Sequence, residues 1–269
     1  MTDHSSDAIG VFDSGLGGLT VVKELIHHLP NERIVYFGDT ARVPYGTKSS
    51  ETIIRYSREI VKTLLKYKVK MVVVACNTAS SLALEVLKKE FKVPILGVIE
   101  PGARKAVEVT RNKKVGIIAT SSTVKSGKYA QKIVQLNKNI VVTSLPCPLF
   151  VPLVEEGWFE HAVTYQVAEE YLGAMKKNKI DTLILGCTHY PLLKGVLHNV
   201  MGPGVQLVDS AQEVAMQVKA LLTRTKLLRR RLGPCQHTFI VSDEPKQFQR
   251  LALRFLGGGV KNVRRHVYV

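Results

Sequence analysis

The sequence lacks the features that mark several large classes of protein. No apolar run approaches the roughly 20 residues that a membrane-spanning helix needs, although 45% of its 269 residues are hydrophobic. Its four cysteines have neither zinc-finger spacing nor the density of a small disulfide scaffold. The first ten residues carry no export signal. We therefore expect a globular protein of the reducing cytoplasm that has free cysteines and does not contact a membrane.

Acidic residues are scarce relative to basic ones, with 22 Asp and Glu against 38 Lys and Arg and a formal net charge of +16. The basic residues cluster once, in residues 223–233. Such a surface attracts polyanions, but no zinc finger, helix-turn-helix signature or aromatic-rich RNA motif accompanies it. A nucleic-acid-binding protein with steeply salt-dependent affinity remains a competing interpretation. Solvated surface charge is the simpler one.

Eight apolar, β-branched runs alternate with helical patterns: AIGVF, RIVYF, MVVVA, ILGVI, KVGIIA, NIVVTSL, TLILG and VQLVD. Such runs predict parallel sheets covered on both faces. Two sets of four overlay, with Ile9 on Val115 (115 − 9 = 106) and Met71 on Thr182 (182 − 71 = 111). Any two βα units resemble each other to some degree, but a shared cysteine favours a true repeat. We predict an α/β fold of two pseudo-symmetric parallel-sheet βα domains facing each other across a cleft.

The shared cysteine follows the third strand of each half, as Cys76 in CNTASS and Cys187 in CTHYP. Ligands of open α/β sheets bind beyond the carboxyl ends of the strands, so we expect the two thiols on opposite walls of one site. A helix N-terminus favours the thiolate of Cys76. His189 lies two residues from Cys187 and can exchange a proton with it.

Polar residues at other strand ends are candidates for ligand binding. The turn after Asp13 is glycine-rich but lacks the pattern of a phosphate-binding loop, so Asp13 suits a ligand that carries an ammonium group. Backbone amides at Tyr45 and Gly46 can hold a carboxylate, although an ordinary turn explains them equally well. The candidate binding residues are Asp13, Ser14, Tyr45, Gly46, Asn77, Thr78, Thr188 and His189.

Two bases on opposite faces of one ligand suit racemisation or epimerisation, with sulfurs about 6–7 Å apart. A disulfide would instead need about 2 Å. A zinc site built from both thiols and His189 lacks a fourth ligand, so we expect no metal. No lysine stands in a recognisable pyridoxal-phosphate context, so we expect no cofactor. A nicotinamide-dependent dehydrogenase is a more distant alternative.

Five motifs in order, DSGLGGLTV, YFGDTARVPYG, ACNTAS, GVIEPG and GCTHYPLL, resemble the glutamate racemase family over essentially the whole chain. The resemblance implies cofactor-independent racemisation of L-glutamate to D-glutamate for peptidoglycan, by two thiols in a cleft between two α/β domains. The catalytic residues it implies are Cys76, Cys187, Asp13, His189 and Glu155. Cys76 would act on D-glutamate and Cys187 on L-glutamate. Asp13 would assist Cys76, and His189 would assist Cys187. Glu156 sits beside Glu155, so the choice of helper carboxylate stays open.

The resemblance also implies a discontinuous first domain, residues 1–99 plus 210–269, around a second domain of residues 100–209. It implies a homodimer. Some family members have been linked to gyrase inhibition, which leaves a contact with gyrase or nucleic acid open. The nearest rival is a related two-cysteine racemase that acts on aspartate or a hydantoin.

Overall fold

The strands lie where the apolar runs predict them. The computed structural model describes residues 4–230, 233, 235–258, 260–261 and 263–268. Within these residues, ten strands form two sheets in which every pairing is parallel. The strands are β1 (Ala8–Asp13), β2 (Ile34–Gly38), β3 (Val69–Val74), β4 (Ile95–Gly97), β5 (Lys114–Ala119), β6 (Val141–Pro146), β7 (Thr182–Gly186), β8 (Gln206–Val208), β9 (Thr238–Val241) and β10 (Val263–Arg265).

Helices follow most of the strands, as a parallel sheet requires. The α-helices of the described residues are α1 (Leu19–His28), α2 (Ser50–Leu65), α3 (Asn77–Leu82), α4 (Leu84–Glu90), α5 (Ile99–Val109), α6 (Ser121–Ser126), α7 (Lys128–Leu136), α8 (Phe150–Glu155), α9 (Ala162–Lys177), α10 (Lys194–Met201), α11 (Ala211–Arg224) and α12 (Pro245–Leu256). Short 3-10 helices add Thr40–Arg42, Tyr45–Thr47 and Tyr190–Leu193.

The chain divides into two compact units. The first unit is Met1–Val98 with Ala211–Val269, and its sheet has the order β10-β9-β2-β1-β3-β4. Strand β1 is fully buried along its length, because helices cover both faces of a parallel sheet. Helix α2 shows the complementary pattern: it is amphipathic and buries residues at helical spacing, at 53, 57, 60, 61 and 64.

The second unit is Ile99–Ser210, and its sheet has the order β6-β5-β7-β8. This order repeats β2-β1-β3-β4 of the first unit. Strand β5 corresponds to β1 at the predicted offset of 106 (114 − 8), and β8 corresponds to β4 at 111 (206 − 95). The predicted α/β fold with two pseudo-symmetric parallel sheets is therefore confirmed.

The chain beyond the repeat extends the first unit. Strand β9 pairs with β2, and β10 pairs with β9, while α11 and α12 pack against α1. This part of the chain consists of α11, β9, α12 and β10 in that order, and Asn262 and Val269 lie outside the described residues. No comparable extension covers β6 in the part of the second unit that the structure describes.

Part of the basic segment 223–233 has a structural explanation. Lys70 and Glu32 form a buried ion pair, with 2.6 Å between Nζ and a carboxylate oxygen. The backbone N–H of Arg229 donates to Glu32 at 2.8 Å, and its guanidinium donates to the carbonyl of Asn31 at 3.2 Å. Arg229 is therefore held by hydrogen bonds within the protein. Residues 231 and 232 of the segment lie outside the described residues. No described helix is both long and apolar enough to cross a bilayer.

Candidate active site

The thiol of the first unit lies two residues after the end of β3 and immediately before α3. Cys76 is 4% exposed and is the N-cap of α3, where its sulfur accepts a hydrogen bond from the backbone N–H of Ala79 at 3.5 Å. The unpaired amides of a helix N-terminus favour a negative charge. The Cys76 sulfur therefore lies at the N-terminus of α3, where a backbone N–H points at it. Asn77 and Thr78, the next two residues, are buried in the same turn.

Asp13 ends the neighbouring strand β1. Its side chain is fully buried, and its carboxylate accepts the backbone N–H of Gly15 at 3.0 Å. The phenol of Tyr36 donates to the carbonyl of Gly15 at 2.8 Å. A Cβ atom on Gly18 would lie 2.5 Å from the Asp13 Cβ, so this close turn requires glycine. Ser14, beside Asp13, is half-buried.

Asp13 and Cys76 lie at one end of the first sheet. Strands β1 and β3 are parallel neighbours, with Phe12 paired to Val74. Burial, then the charges of Asp13 and of Cys76, raise the pKa of Tyr36 well above its ordinary value. Asp13 and Cys76 therefore both lie close enough to the Tyr36 phenol to affect its pKa, as expected if they belong to one site.

Tyr45 and Gly46 lie in the 3-10 helix that follows β2. Tyr45 is 2% exposed, and its phenol donates to Oδ2 of Asp39 at 2.5 Å. Burial, then the charge and hydrogen bond of Asp39, raise the pKa of Tyr45, and Cys76 adds to the same shift. The Tyr45 turn thus lies near the first thiol, and Tyr45 remains a protonated hydrogen-bond donor.

The thiol of the second unit has a different environment. Cys187 follows β7 and is 6% exposed, and its sulfur lies 3.8 Å from Nδ1 of His189. The opposite nitrogen, Nε2, lies 3.2 Å from Oε1 of Glu155. Burial alone would lower the pKa of His189, but hydrogen bonds to Cys187 and Glu155 and their charges raise it from 6.5 to about 10. The raised pKa favours the protonated imidazole, and its Nδ1 lies where it can exchange a proton with the Cys187 sulfur.

The geometry separates the two candidate carboxylates. Glu155 is the last residue of α8 and reaches His189, whereas Glu156 caps that helix and is exposed. Helix α8 is held against the 3-10 helix after the thiol by an edge-to-face contact between Phe150 and Tyr190, with ring centroids 5.3 Å apart. This packing aims Glu155 at the imidazole. Thr188, between the thiol and the histidine, is buried.

Two polar residues near these groups were not among the predicted site residues, Thr120 and Asp39. Thr120 lies after β5 at the position of Ser14 (14 + 106 = 120), and its hydroxyl is 3.0 Å from that of Thr123. The same offset that revealed the repeat could have identified Thr120. Asp39 ends the motif YFGD, but its sequence context does not show that it contacts Tyr45.

The four cysteines differ in their surroundings. None of them is paired in a disulfide. Among the described residues, no group of three or more His, Cys, Asp or Glu side chains could hold a metal ion. Cys147 is fully buried, and burial raises its pKa far above the ordinary value, so it is inert. Cys235 is only half-buried.

Each unit therefore presents one buried thiol near the end of its third strand. In its thiolate form, cysteine is a base that can remove a proton from carbon. Residues 9–218 match the Asp/Glu/Hydantoin racemase family. The chain belongs to this family, and it is an amino-acid racemase, an isomerase.

The similar proteins narrow this class to the glutamate racemases. The chain is 52% identical to the glutamate racemase of Geobacter metallireducens over 256 residues, which cover 95% of each chain. Its fold matches the crystal structure of a glutamate racemase isoform from Bacillus anthracis, with a TM-score of 0.94, 38% identity and coverage of 98% of each chain. It also matches a Francisella tularensis glutamate racemase solved with D-glutamate, with a TM-score of 0.91, 38% identity and coverage of 97% of this chain and 98% of that one.

Proposed function

We propose that the protein interconverts L- and D-glutamate by a two-base mechanism in which Cys76 and Cys187 act on opposite faces of the α-carbon. The observation that carries the proposal is the equivalent position of the two thiols. Two sheets of the same strand order each place a buried cysteine within two residues of the end of the third strand. A racemase needs such equivalence because it must act on two mirror-image substrates.

In the L-to-D direction, the thiolate of Cys187 removes the α-proton. The C–H bond breaks as an S–H bond forms on Cys187, and the electron pair stays on the α-carbon as a carbanion. The thiol of Cys76 then gives its proton to the opposite face and becomes the thiolate. Turnover of D-glutamate uses the same steps in reverse order, so each direction leaves the enzyme ready for the other.

The two thiols receive different help. His189, held by Glu155, keeps a positive charge next to Cys187 and stabilises the thiolate that starts the L-to-D reaction. The amide of Ala79 and the dipole of α3 do the same for Cys76, with Asp13 as its acid–base helper. Such preorganised groups act without reorganisation during the reaction.

Polar groups around the thiols would hold glutamate itself. Asp13 is a buried carboxylate suited to the substrate ammonium group. The turn of Tyr45 and Gly46, together with the start of α3, offers amides and hydroxyls to the carboxylates. The remaining proposed contacts are Ser14, Asn77, Thr78, Thr188 and His189.

The proposed reaction suggests a cellular setting. D-Glutamate is a building block of bacterial peptidoglycan, so the protein would serve cell-wall synthesis. Both thiols must stay reduced, which the cytoplasm provides. The resemblance to glutamate racemases also leads us to propose a homodimer, which light scattering of the purified protein would test.

Substitution of each cysteine tests the mechanism. We expect Cys76→Ser and Cys187→Ser each to lower racemisation at least about a thousandfold, because a unit of catalytic groups fails when one member is lost. The matched control is Cys235→Ser, which replaces a half-buried thiol outside the repeat and should retain activity within about twofold. Polarimetry gives the rate, and circular dichroism checks the fold. A Cys187→Ser variant that racemises glutamate near the wild-type rate would refute the two-thiol proposal.

Isotope exchange and alternative substrates sharpen the test. In heavy water, each glutamate enantiomer should acquire deuterium at the α-carbon chiefly as it inverts, because the proton is returned by a different thiol. Nuclear magnetic resonance of the recovered enantiomers measures this. Parallel assays with aspartate and a hydantoin test the rival substrates. If either is turned over faster than glutamate, that compound and not glutamate is the substrate.

A further inference from the structure

A buried carboxylate that the proposed mechanism does not use lies beside the turn that carries Tyr45. Asp39 follows β2 and is fully buried. Its Oδ2 accepts hydrogen bonds from the Tyr45 phenol at 2.5 Å and from Nε of Arg42 at 2.7 Å. Its Oδ1 accepts from the hydroxyls of Ser242 and Tyr268, both at 2.9 Å. A buried carboxylate tolerates desolvation only when it is paired in this way.

Arg42 balances the charge of Asp39 and is itself tightly held. Its guanidinium lies between two aromatic rings, 3.8 Å from the ring centroid of Tyr56 and 3.7 Å from that of Tyr268. Its terminal nitrogens contact Glu59 and the Tyr268 hydroxyl. The Tyr268 hydroxyl therefore accepts from Arg42 and donates to Asp39, which joins the two halves of the ion pair.

Two of these partners come from the part of the chain beyond the repeat. Ser242 follows β9 and Tyr268 follows β10, 203 and 229 residues from Asp39 in sequence. They reach Asp39 because β9 pairs in parallel with β2, so the ends of both strands lie together. The extension of the first sheet thus contacts the carboxylate that holds the Tyr45 phenol.

We propose that Asp39 is a positioning residue for substrate binding, and that Ser242 and Tyr268 set its orientation, so that the chain returning through β9 and β10 tunes the affinity for glutamate. The inference rests on the proposed function, because it takes Tyr45 and Gly46 as substrate contacts. Asp39 acts on them through the Tyr45 phenol: a fixed ring fixes the backbone of the turn and the direction of its amides.

The inference predicts an effect on binding rather than on proton transfer. Asp39 acts through the binding turn and not through either thiol. Loosening the turn should therefore weaken the substrate and the transition state alike, which raises KM and leaves kcat nearly unchanged. A general loss of structure would instead lower the amount of active enzyme and hence the apparent kcat.

Tyr268→Phe is the most direct test, because it removes the hydroxyl and keeps the ring that stacks on Arg42. We expect KM for glutamate to rise about fivefold, the effect of one hydrogen bond, with kcat within about twofold of wild type. Ser242→Ala should act in the same direction and serves as the second variant if Tyr268→Phe folds poorly. The matched control is Tyr165→Phe, which removes a phenol that accepts from Asn199 in the second unit at 3.0 Å and should leave KM unchanged.

A double variant identifies the route. If Tyr268 acts through Asp39 on Tyr45, Tyr268→Phe should raise KM less than about twofold in a Tyr45→Phe background, because coupled changes are not additive. An unchanged KM in both Tyr268→Phe and Ser242→Ala, or an undiminished rise in the double variant, would overturn the inference and leave racemisation intact. Calorimetric titration with D-glutamate separates the two proposals. If the wild-type protein binds glutamate without racemising it, the proposed function fails, and the dissociation constants then decide the inference in place of KM.

Discussion

Strands β2 and β6 occupy the same place in the two repeats but differ in burial. Every residue of β2 is buried, because β9 pairs with its outer edge. Strand β6 is half-exposed and pairs with β5 alone among the described residues. Val35 and Val141, one offset of 106 apart (141 − 35), are 2% and 62% exposed. Equivalent apolar sequences are therefore buried to different extents. The outer neighbour of β2 is β9, which comes from a distant part of the chain.

The two thiols likewise occupy equivalent positions in the repeat but have different contacts. Cys76 relies on the backbone of its own helix, whereas Cys187 relies on His189 and, through it, on Glu155 from another helix. Thr78 occupies the repeat position of His189 (78 + 111 = 189). The repeat therefore preserves the position of the sulfur and changes the groups that contact it.

Among variants that keep both thiols, the largest effect should come from removing the imidazole. We expect His189→Gln to lower kcat/KM about a hundredfold, the usual contribution of an acid–base group, and to do so equally in both directions because the equilibrium constant of a racemase is one. The asymmetry should appear in isotope effects. With α-deuterated substrates, the effect should grow for L-glutamate, where Cys187 breaks the C–D bond, and shrink for D-glutamate. Equal changes for both enantiomers would contradict the assignment of His189 to Cys187.

A smaller effect should separate the two equivalent strands. Val35→Thr places a hydroxyl in the core and should lower the free energy of unfolding by about 2 kcal/mol. Val141→Thr, its counterpart at the edge, should change it by no more than about 0.5 kcal/mol. Urea denaturation of both variants measures the difference. Similar losses at the two positions would show that β6 is covered in solution.

The smallest expected effect concerns the carboxylate behind His189. Glu155→Gln keeps a hydrogen-bonding group but removes the charge that favours the imidazolium, so kcat should fall about tenfold. Glu156→Gln is the matched control, since Glu156 is adjacent but exposed, and its kcat should stay within about twofold. If Glu156→Gln lowered kcat more than Glu155→Gln does, Glu156 would be the helper carboxylate.

Much of the fold was predictable from the sequence. The apolar runs mark the eight strands of the repeat, and the two offsets relate β1 to β5 and β4 to β8. The exposure of Val141 was not predictable, because Ile140 and Val141 repeat the Ile34 and Val35 of the buried strand β2. A local sequence pattern indicates which residues a strand can bury. The elements that pack against the strand decide which of them are buried.

The candidate site was also predictable only in part. The positions of Cys76 and Cys187 near strand ends could be predicted from sequence motifs. The choice between Glu155 and Glu156 is not, because adjacent residues of one type differ only in the direction of their side chains. Asp39 was missed for a related reason: its partners Ser242 and Tyr268 are more than 200 residues away.

The sequence by itself determined the repeat, the parallel sheets and the two thiols at strand ends, because hydrophobic periodicity and turn residues act over a few positions. The tertiary structure alone decided which carboxylate meets His189, which strand β9 covers and what holds Asp39. These outcomes depend on packing between segments far apart in the chain, and no local pattern encodes such distances.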